Sequence, residues 1–401
     1  MTNWPTSSLD KVASVFNGKT PSKDEQRNEG HPVLKIRNVS ELGLFRGNFE
    51  SFVEPALADK HVAKKVRAGD TLILNAAHNA NYVASKTFRA SSPTFGALAT
   101  GEWLIVRPNE LALDAGFTNH WINSARTRAQ LRELVNGIHL YPKDVARLKI
   151  PVPPLGEQRR IAAILDQAET LRSQRRAALA QLDSLTQSVF LDMFGDPVTN
   201  DRDWPESLTL GEVADIASGV TKGRSLEGKV TRELPYLAVA NVQDKALRLE
   251  SVKSIEATED EIRRYRLQKD DLLLTEGGDP DKLGRGTLWQ NELPECIHQN
   301  HIFRVRLTSH VLTPLFLNWL VGSPRGKKYF LRSAKQTTGI ASINMTQLRG
   351  FPLLVPPLPL QQTFATRIQA IESLKTIHRT ALTELDALFA SLQQRAFADL
   401  L

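Results

Sequence analysis

Two stretches of the chain repeat apolar residues with the period of an α-helix over an unusual length. In the first, neither Pro nor Gly interrupts the sequence from Glu157 to Phe194, and Gly195-Asp196-Pro197 follows. At 1.5 Å per residue, about 38 residues form a rod of roughly 57 Å. The second stretch begins near Leu360 and continues to the C-terminus. Because apolar positions recur every three or four residues, the sequence predicts two long helices.

The two predicted helices belong to an internal duplication with a period of about 203 residues. Residues 150–158 and 353–361 share Val-Pro-Pro-Leu and a later Gln at the same offset, and a Leu-Asp pair recurs at 182–183 and 385–386. Fainter echoes lie upstream. They align Asn38-Val39 with Asn241-Val242, Val12-Ala13 and Gly18 with Val213-Ala214 and Gly219, and Gly69-Asp70-Thr71-Leu72 with Lys269-Asp270-Asp271-Leu272.

Each helical stripe must be buried against another surface, and the duplication favours antiparallel pairing of the two helices. Packing of each helix on its own domain is the alternative. The stripes are typical of a coiled-coil seam and comprise Ala168, Leu171, Arg175, Ala178, Leu182, Leu185 and Val189, then Phe364, Ile368, Ile371, Leu374, His378, Ala381, Leu385, Leu388 and Leu392. The residues expected to pack between helices or against a partner are Leu171, Leu182, Leu185, Leu374, Leu385 and Leu388.

Outside the helices the sequence predicts two globular domains of mixed structure. Apolar runs bounded by polar residues predict strands at 71–74, 103–106, 272–274 and 302–306. Short helices are expected at 9–16, 131–136, 212–218 and 314–321. The predicted fold class is α+β, with two unlike domains, an antiparallel coiled coil and a pseudo-twofold repeat. The predicted segments are a first domain (1–154), a central helix (155–196), a second domain (197–357) and a C-terminal helix (358–401).

Composition narrows the classes of protein further. The single cysteine, Cys296, excludes an intramolecular disulfide and a multi-cysteine zinc site, which fits a reducing intracellular setting. No apolar run predicts a membrane span, and the first residues show no secretory signal, so we expect a cytoplasmic protein. With 51 Lys and Arg against 44 Asp and Glu, the net charge is +7, which permits a polyanionic partner without requiring one.

The predicted loops carry side chains suited to phosphates and base edges. Arg and Lys can bind guanine, and Asn and Gln can bind adenine, through paired hydrogen bonds. The candidates in the first domain are Lys19, Lys23, Asn75, His78, Asn79, Asn81, Tyr82, Lys86 and Arg89. Those in the second domain are Lys222, Arg224, Lys282, Arg285, Asn300, His301, Lys335, Gln336, Thr337, Thr338 and Asn344.

Motifs for catalysis by this chain are weak. Residues 13–20 satisfy a loose phosphate-loop pattern, but the preceding residues are expected to be helical and Pro21 follows Thr20, which disfavours a helix start there. Neither an Asn-Pro-Pro-aromatic nor an Asp-Pro-Pro-Tyr methylation motif occurs. Pro280-Asp281-Lys282 lacks the Glu-x-Lys that a nuclease metal site needs. Cys296 with His298 and His301 is a weak metal or nucleophile pattern. We therefore expect no catalytic, cofactor or metal site in this chain.

Two divergent domains that each end in Pro-Pro-Leu-x-x-Gln and a long helix resemble the DNA-specificity subunit of type I restriction–modification enzymes. The first copy continues as Glu157-Gln158-Arg159-Arg160-Ile161, whereas Leu360-Gln361-Gln362 stands in the second. The resemblance covers essentially the whole chain. It implies two target-recognition domains, each binding one half of a split, asymmetric DNA sequence, with the helices fixing the length of the unread spacer.

The resemblance also implies which partners supply the chemistry. Two methyltransferase subunits would modify adenine N6, and restriction subunits would cleave DNA, so S-adenosylmethionine, Mg²⁺ and ATP would bind to those partners. The helices would be the docking surface for the methyltransferases. Two other functions stay open from the residues: a duplicated scaffold that binds proteins, and a fragment of a methyltransferase or nuclease.

Overall fold

The computed structural model describes residues 4–279, 282–337 and 340–397. The chain divides into two compact units. Unit 1 comprises Met1–Ala177 and His378–Leu401, and unit 2 comprises Ala178–Ile377. Each unit therefore contains one globular domain and a part of each long helix. The four segments that the sequence predicts, with limits at residues 154, 196 and 357, stay a prediction.

Unit 1 comprises the elements up to the start of the first long helix and, from His378, the end of the second. Its strands are β1 Thr6–Ser8, β2 Ala13–Asn17, β3 Gln26–Arg27, β4 His31–Leu34, β5 Phe52–Val53, β6 Thr71–Leu74, β7 Thr87–Arg89, β8 Leu98–Ala99, β9 Trp103–Pro108 and β10 Lys149–Pro151. Its helices are α1 Leu9–Val12, α2 Pro55–Lys60, α3 Ala115–Ile122, α4 Ala125–Glu133, α5 Pro142–Val145 and α6 Leu155–Phe194, which continues into unit 2. The 3₁₀ turns are Lys23–Glu25, Ile36–Asn38, Val62–Lys64, Ala80–Tyr82 and Ser92–Thr94.

A four-stranded antiparallel sheet, β2-β9-β6-β7, forms the centre of unit 1. Successive strand residues point to opposite faces, so Ile73 and Leu104 pack with α3, α4 and the start of α6. On the other face, Leu72 and Ile105 pack against a second sheet of order β3-β5-β4-β8. Strands β1 and β10 pair antiparallel and bring the two ends of the domain together.

The elements of unit 2 follow the same plan. Its strands are β11 Ala214–Ser218, β12 Arg232–Leu237, β13 Val242–Gln243, β14 Ala246–Leu247, β15 Lys253–Ala257, β16 Leu272–Thr275, β17 Gly277–Gly278, β18 Gly286–Leu288, β19 Ile297–His298, β20 Ile302–Leu307, β21 Lys335–Thr337 and β22 Ile340–Ser342. Its helices are α7 Leu210–Val213, α8 Glu259–Tyr265, α9 Pro314–Gly322, α10 Pro324–Ser333, α11 Met345–Arg349 and α12 Leu358–Phe397, with a 3₁₀ turn at Val239–Asn241.

The central sheet of unit 2, β11-β20-β16-β18, repeats the strand order and directions of the central sheet of unit 1. It is flanked by the sheet β15-β12-β19, and the smaller sheets are β13-β14 and β17-β22-β21. The strand registers identify equivalent residues in the two units. Equivalent positions include Val15 and Ile216, Val106 and Val305, and Thr71 and Leu272.

The predicted helices at 9–16 and 212–218 are corrected by the structure. In each unit only one helical turn forms, α1 and α7, and the chain then enters β2 and β11. The apolar residues of these segments alternate between faces and pair with β9 and β20, so tertiary pairing overrides the helical reading. Residues 13–17 before Gly18 are therefore a strand, but only the 3₁₀ turn Lys23–Glu25 follows, and no phosphate-loop helix forms there.

Within unit 1, the long helices run antiparallel. Arg172 of α6 donates from Nε to Asp386 Oδ1 of α12 at 2.6 Å, while Arg175, further along α6, reaches the earlier residue His378 at 3.1 Å. The residue numbers of the contacting partners rise along α6 and fall along α12, as antiparallel helices require. The start of α6 also packs on its own domain, so the pairing and the alternative predicted from sequence both occur in this unit.

Within unit 2 the direction is the same. Lys375 of α12 pairs with Asp183 of α6 at 2.8 Å, and the Phe364 ring lies 5.2 Å from the ring of Phe194. The predicted antiparallel coiled coil is confirmed. Its seam differs by one residue from the predicted one at two positions, because Arg172, which is partly buried, and Lys375, which is buried, lie where we expected Leu171 and Leu374.

The packing role of the predicted seam leucines stays a prediction, and the structure gives how far each is buried. Leu182 and Leu385 are half-buried. The other four are 43–50% exposed, because the long cationic side chains cover the seam with their methylene stems while their charged ends reach carboxylates. The exposed leucines are Leu171, Leu185, Leu374 and Leu388.

Candidate nucleic-acid interface

The glutamine that both copies share links each long helix to its domain. Gln158 is fully buried, donates from Nε2 to the carbonyls of Ala112 and Pro153 at 2.9 and 2.8 Å, and accepts from Asp114 N–H at 2.8 Å. Asp114 is the N-cap of α3. The side chain thus joins the proline-rich entry of α6 to the start of a neighbouring helix.

Gln361 repeats these bonds in unit 2. It is fully buried, donates to Val311 and Pro356 carbonyls at 3.0 and 2.8 Å, and accepts from the N–H of Thr313, the N-cap of α9, at 2.8 Å. Unpaired buried polar groups are costly, so both copies need a Gln at this position. The motif Pro-Pro-Leu-x-x-Gln is therefore structural.

A buried ion pair is also duplicated. In unit 1, Arg107 binds both carboxylate oxygens of Asp70, each at 2.7 Å. In unit 2, Arg306 binds Asp271 with the same two distances. Asp70 is therefore equivalent to Asp271, and the sequence alignment of Asp70 with Asp270 is one residue out. The residue before this aspartate is Gly69 in unit 1 and Asp270 in unit 2. Both have a positive φ, +84° and +71°.

Two further pairs of residues that recur in both copies have structural roles. Asn38 and Asn241 are buried and each closes a 3₁₀ turn, by accepting from Lys35 N–H and Ala238 N–H at 2.8 Å. A Cβ on Gly18 would lie 2.2 Å from a backbone oxygen, and one on Gly219 would lie 1.9 Å from another. The residues that the copies share therefore hold the fold.

The helix pair carries a duplicated group of three charges. In unit 1, Arg172 lies between Glu169 of its own helix and Asp386 of the other. In unit 2, Lys375 lies between Glu372, at 2.7 Å, and Asp183, at 2.8 Å. Burial lowers the pKa of Lys375, but its hydrogen bonds to both carboxylates outweigh burial and leave the pKa raised. These groups hold the two helices in one register.

Some residues predicted to bind DNA in domain 1 are engaged within the protein. Asn75 is buried and donates from Nδ2 to Asn17 Oδ1 at 2.7 Å. Lys86 is buried and pairs with Glu41 at 2.7 Å. The fully formed internal bonds of these side chains give them structural roles in this state of the protein.

Arg89, another predicted residue, connects its strand to the long helix. Its Nη1 lies 2.8 Å from Asp166 Oδ1 of α6, and His120 Nε2 lies 2.7 Å from the same oxygen. Burial raises the pKa of Asp166, but the hydrogen bond with His120 and the charge of Arg89 leave it lowered. Arg89 therefore packs the domain on its helix.

The remaining predicted residues of domain 1 are exposed. His78, Asn79 and Tyr82 line one cavity of about 830 Å³ together with Ile138. Tyr82 is 60% exposed, which is unusual for a large aromatic side chain. The set of exposed candidates is Lys19, Lys23, His78, Asn79, Asn81 and Tyr82.

In domain 2, several predicted residues also have internal partners. Arg224 pairs with Glu261 and lowers the pKa of that carboxyl to about 2. Asn344 caps α11 by accepting from Gln347 N–H at 2.9 Å. Two others have partners as well, since Lys282 pairs with Asp279 and Arg285 donates to Gln243 at 3.2 Å.

The other predicted residues of domain 2 fall into three groups. Asn300 and His301 line a cleft at the end of the central sheet. Lys222 and Lys335 are exposed. Gln336 and Thr337 belong to β21, and Thr338 lies outside the described residues.

Both units have a polar cleft at the same end of the central sheet. The unit-1 cleft, about 310 Å³, is lined by Asn17, Thr20, Asn75, Ala76, Gly101, Glu102, His139, Leu140 and Tyr141. The unit-2 cleft, about 760 Å³, is lined by Asp215, Ile216, Ala217, Ser218, Gly219, Thr221, Arg264, Tyr265, Glu276, Asn300, His301, Arg304, Met345 and Arg349.

Sequence reasoning missed most residues of the clefts. Arg264 lies in the last turn of α8, Arg304 lies inside β20 and Arg349 ends α11, so none lies in a loop that the sequence marks for recognition. The rings of His139 and Tyr141 of the unit-1 cleft lie with centroids 6.1 Å apart and planes tilted by 33°. Only the strand pairing brings these segments to one edge, and no local pattern in the sequence carries that information.

A family model described as type I restriction modification DNA specificity domain matches residues 124–181 and 202–387. The chain belongs to this family. The matched ranges include parts of both domains and of both long helices, so the duplicated architecture described above is that of a type I specificity protein.

Type I specificity proteins are also found among the curated relatives. The StySPI specificity subunit of Salmonella potsdam is 22% identical over 98% of this chain and 88% of the relative. The EcoKI specificity subunit of Escherichia coli K12 is 21% identical over the same shares. The relatives therefore match along both units and not in one domain alone.

Solved structures of type I specificity proteins share the fold. The S subunit of the type I restriction–modification system of M. genitalium covers 98% of this chain with 96% of its own, at a TM-score of 0.59 and 14% identity. A chain from a structure on complex assembly and conformational transition of the type I R-M system covers 99% with 98% of its own, at a TM-score of 0.57 and 17% identity.

The weak metal pattern of this specificity protein is not assembled into a site. Burial raises the pKa of the Cys296 thiol to about 12 and lowers the pKa of His298 to about 4. His301 bonds to Glu276 instead. Over the described ranges, no cluster of three or more His, Cys, Asp or Glu could hold a metal, and Pro280 and Asp281 lie outside those ranges.

The helices that the structure describes in the specificity protein do not have the properties of a membrane span. In the described part of the chain, none is both long and apolar enough to cross a bilayer.

Proposed function

We propose that this chain is the DNA-recognition subunit of a type I restriction–modification complex and that it reads a bipartite, asymmetric target. The domain of unit 1 binds one half-site and the domain of unit 2 binds the other. The observation that supports this is that the two copies share the residues that hold the fold but differ in the residues that line their clefts. Shared residues such as Gln158 and Gln361 hold the fold, whereas the linings of the two sheet-end clefts differ.

The long helices provide the fixed spacer between the half-sites. The charge groups around Arg172 and Lys375 support this role, because they fix the register of the helix pair in both units. A rod sets a defined separation along duplex DNA, which rises about 3.4 Å per base pair. The unread spacer therefore has a preferred length.

Two methyltransferase subunits dock on the helix pair, one at each unit. Exposed leucines support this placement: Leu171 and Leu388 lie at the level of the Arg172–Asp386 pair in unit 1, and Leu185 and Leu374 lie at the level of the Asp183–Lys375 pair in unit 2. Equivalent exposed apolar pairs suit two copies of one partner.

The partners carry the chemistry. The methyltransferase subunits bind S-adenosylmethionine and methylate adenine N6, and restriction subunits use Mg²⁺ and ATP to cleave DNA. This chain contributes recognition and binds neither cofactor nor metal. The complex acts on DNA in the cytoplasm.

Domain exchange tests the proposal. Residues 197–357 are replaced by the corresponding domain of another specificity subunit, and adenine methylation is mapped genome-wide in cells that also express the methyltransferase. One half-site should change while the other half-site and the spacer are retained. A methylated sequence that is unchanged, or altered in both halves, contradicts the assignment of one half-site to each domain.

A gel-shift experiment separates this function from a protein-binding scaffold. The full chain with its methyltransferase should prefer the mapped target over a scrambled duplex at a salt concentration that suppresses general phosphate attraction. A scaffold would show no such preference.

A further inference from the structure

The carboxylates of the unit-2 cleft are already engaged by neighbouring side chains. Asp215 pairs with Arg304, whose residue is only 4% exposed. Glu276 Oε2 lies 2.5 Å from Nδ1 of His301. Both negative charges of the cleft therefore have partners within it.

Two arginines of the same cleft have no such neutralising partner. Arg264 and Arg349 line the cleft, and both are exposed. In the part of the chain that the structure describes, neither comes within ion-pair distance of a carboxylate, and Arg264 lies over the Tyr265 ring at 5.4 Å. The cleft thus has two guanidinium groups without a carboxylate partner.

The cleft also contains neutral hydrogen-bond donors of the kind that accompany arginine in phosphate binding. Thr221 and Asn300 offer a hydroxyl and an amide in the lining of the same cleft. Phosphate oxygens are bound in protein–DNA complexes by Arg together with such neutral donors. Guanidinium can also donate two parallel hydrogen bonds to a phosphate.

The equivalent cleft of unit 1 is lined by different residues, although Lys64 Nζ donates to the carbonyl of its lining residue Asn17 at 2.7 Å. No Lys or Arg is among its lining residues, and Glu102 stands where unit 2 has His301. Strand registers and shared backbone bonds identify the counterparts of the three arginines as uncharged residues. These pairs are Arg264 and Ala63, Arg304 and Ile105, and Arg349 and Ala146.

We propose that the unit-2 cleft binds a phosphodiester group of the DNA backbone through Arg264 and Arg349, and that unit 1 makes no equivalent contact. The inference rests on the proposed function, because it assigns the cleft to the DNA that the chain recognises. The contact positions the second domain on its half-site without reading bases. The two domains therefore depend unequally on salt.

The test measures DNA affinity of the full chain across a series of salt concentrations. Wild type, Arg264→Gln, Arg349→Gln and the double variant are compared on a target duplex and on a scrambled duplex of the same length. Each substitution should reduce the slope of log affinity against log salt by about 1. It should also weaken binding to both duplexes by a similar factor.

Two matched variants control for general charge. Arg263 precedes Arg264 on α8, pairs with Asp260 and does not line the cleft. Arg263→Gln should leave the slope unchanged. Glu102→Gln alters the unit-1 cleft and should leave it unchanged as well. An equal slope reduction in Arg263→Gln would overturn the proposal, because it would assign the effect to overall charge.

Other outcomes are equally decisive. If the double variant has the wild-type slope of log affinity against log salt, the phosphate contact is overturned. If that variant still prefers the target duplex as strongly as the wild type does, the proposed function is unaffected. Weaker binding to the target alone, with an unchanged slope, means that the arginines read bases and also overturns the phosphate contact. If the wild type shows no sequence preference, the proposed function fails, and the DNA assignment that rests on it is overturned as well.

Inorganic phosphate distinguishes a DNA phosphate from a free anion. At constant ionic strength, inorganic phosphate should not raise the melting temperature of the wild type relative to the double variant, whereas duplex DNA should. If inorganic phosphate stabilises the wild type more than the double variant, and the two proteins have equal salt slopes for DNA binding, the cleft binds a free anion and the DNA contact is overturned.

Discussion

At the scale of single residues, burial separates the structural positions from the candidate DNA contacts. Gln158 and Gln361 stand in an exposed-looking polar motif, but each is fully buried and bonds to three backbone groups. Asn75 and Lys86 are also buried, although their predicted role in DNA binding stays a prediction. Residue type and loop position alone do not distinguish these cases, because an Asn or Lys has the same donors in either place.

Replacing Gln361 with Ala should destabilise unit 2. The change removes the donor to the Val311 and Pro356 carbonyls and the acceptor for Thr313 N–H, so we expect a loss of about 1–3 kcal/mol in the free energy of unfolding. Urea denaturation measures it. The exposed neighbour provides the control, since Gln362→Ala should change stability by less than about 0.5 kcal/mol. Equal stabilities of the two variants would contradict the structural role.

His298 makes the stability of unit 2 depend on pH. Burial lowers its pKa from 6.5 to about 4 in the folded protein. Between these values the unfolded chain binds a proton that the folded chain does not, so stability is full above pH 6.5 and falls as the pH decreases towards 4. Unit 1 has Ala99 at this position.

The variant His298→Ala should remove this part of the pH dependence. Thermal unfolding at several pH values measures it, and the wild-type and variant melting temperatures should converge as the pH falls. His310→Ala, at an exposed site, is the control and should keep the wild-type slope. Parallel curves for wild type and His298→Ala would exclude His298 as the titrating group.

At the scale of elements, charge and not only apolar periodicity determines how the long helices meet. The seam contains Arg172 and Lys375 at equivalent positions, each between two carboxylates. A seam of this kind discriminates against slipped registers, because a shift of one turn would leave a buried cation unpaired. The predicted leucine seam missed this because long cationic side chains resemble solvent-facing residues in a periodicity plot.

Reversing the charge of Lys375 should weaken the helix pair. Lys375→Glu places a third carboxylate beside Asp183 and Glu372, and we expect unfolding free energy to fall by about 3–5 kcal/mol. Denaturant unfolding measures the loss. Adding Asp183→Lys should restore part of it, whereas the exposed-site control Lys328→Glu should have little effect. A reversal no more costly than the control would mean that the charges do not fix the register.

At the scale of the whole molecule, duplication with divergence is the central feature. Each unit repeats the same sheet order, the same helix anchor and the same buried ion pair. The cleft linings differ between the copies, whereas the helix anchors and the duplicated ion pairs lie outside the clefts. This separation allows two unlike half-sites to be read by one architecture.

Lengthening both helices should change the preferred spacer. We would insert one heptad into α6 between Ala177 and Ala178, and one into α12 between Ile377 and His378. A heptad keeps the seam in phase and adds roughly 10 Å, about three base pairs of duplex. Methylation mapping with the partner subunits should show a longer spacer and the same half-sites.

The matched control inserts the heptad into one helix only. That change displaces Arg172 from Asp386 or Lys375 from Asp183, so it should destabilise the protein instead of changing the spacer. A spacer that stays constant with both insertions would contradict the role of the helices in setting its length.

The sequence predicted the large features because they leave periodic or repeated signals. The long helices, the strands at 71–74 and 272–274 and the duplication follow from local pattern. The short helices predicted at 9–16 and 212–218 were wrong, because pairing with β9 and β20 decides those segments. The residues predicted to contact DNA stay a prediction, and the structure shows which of their side chains are exposed.

By itself, the sequence determined that the chain is a duplicated pair of unlike domains with two long helices, because repeats and helical period are properties of neighbouring residues. Only the tertiary structure decided which polar residues are buried anchors and which line the two clefts. Arg264 and Arg349 are far apart along the chain and meet at one sheet edge, since antiparallel pairing joins distant segments. A contact that depends on such pairing has no local signal in the sequence.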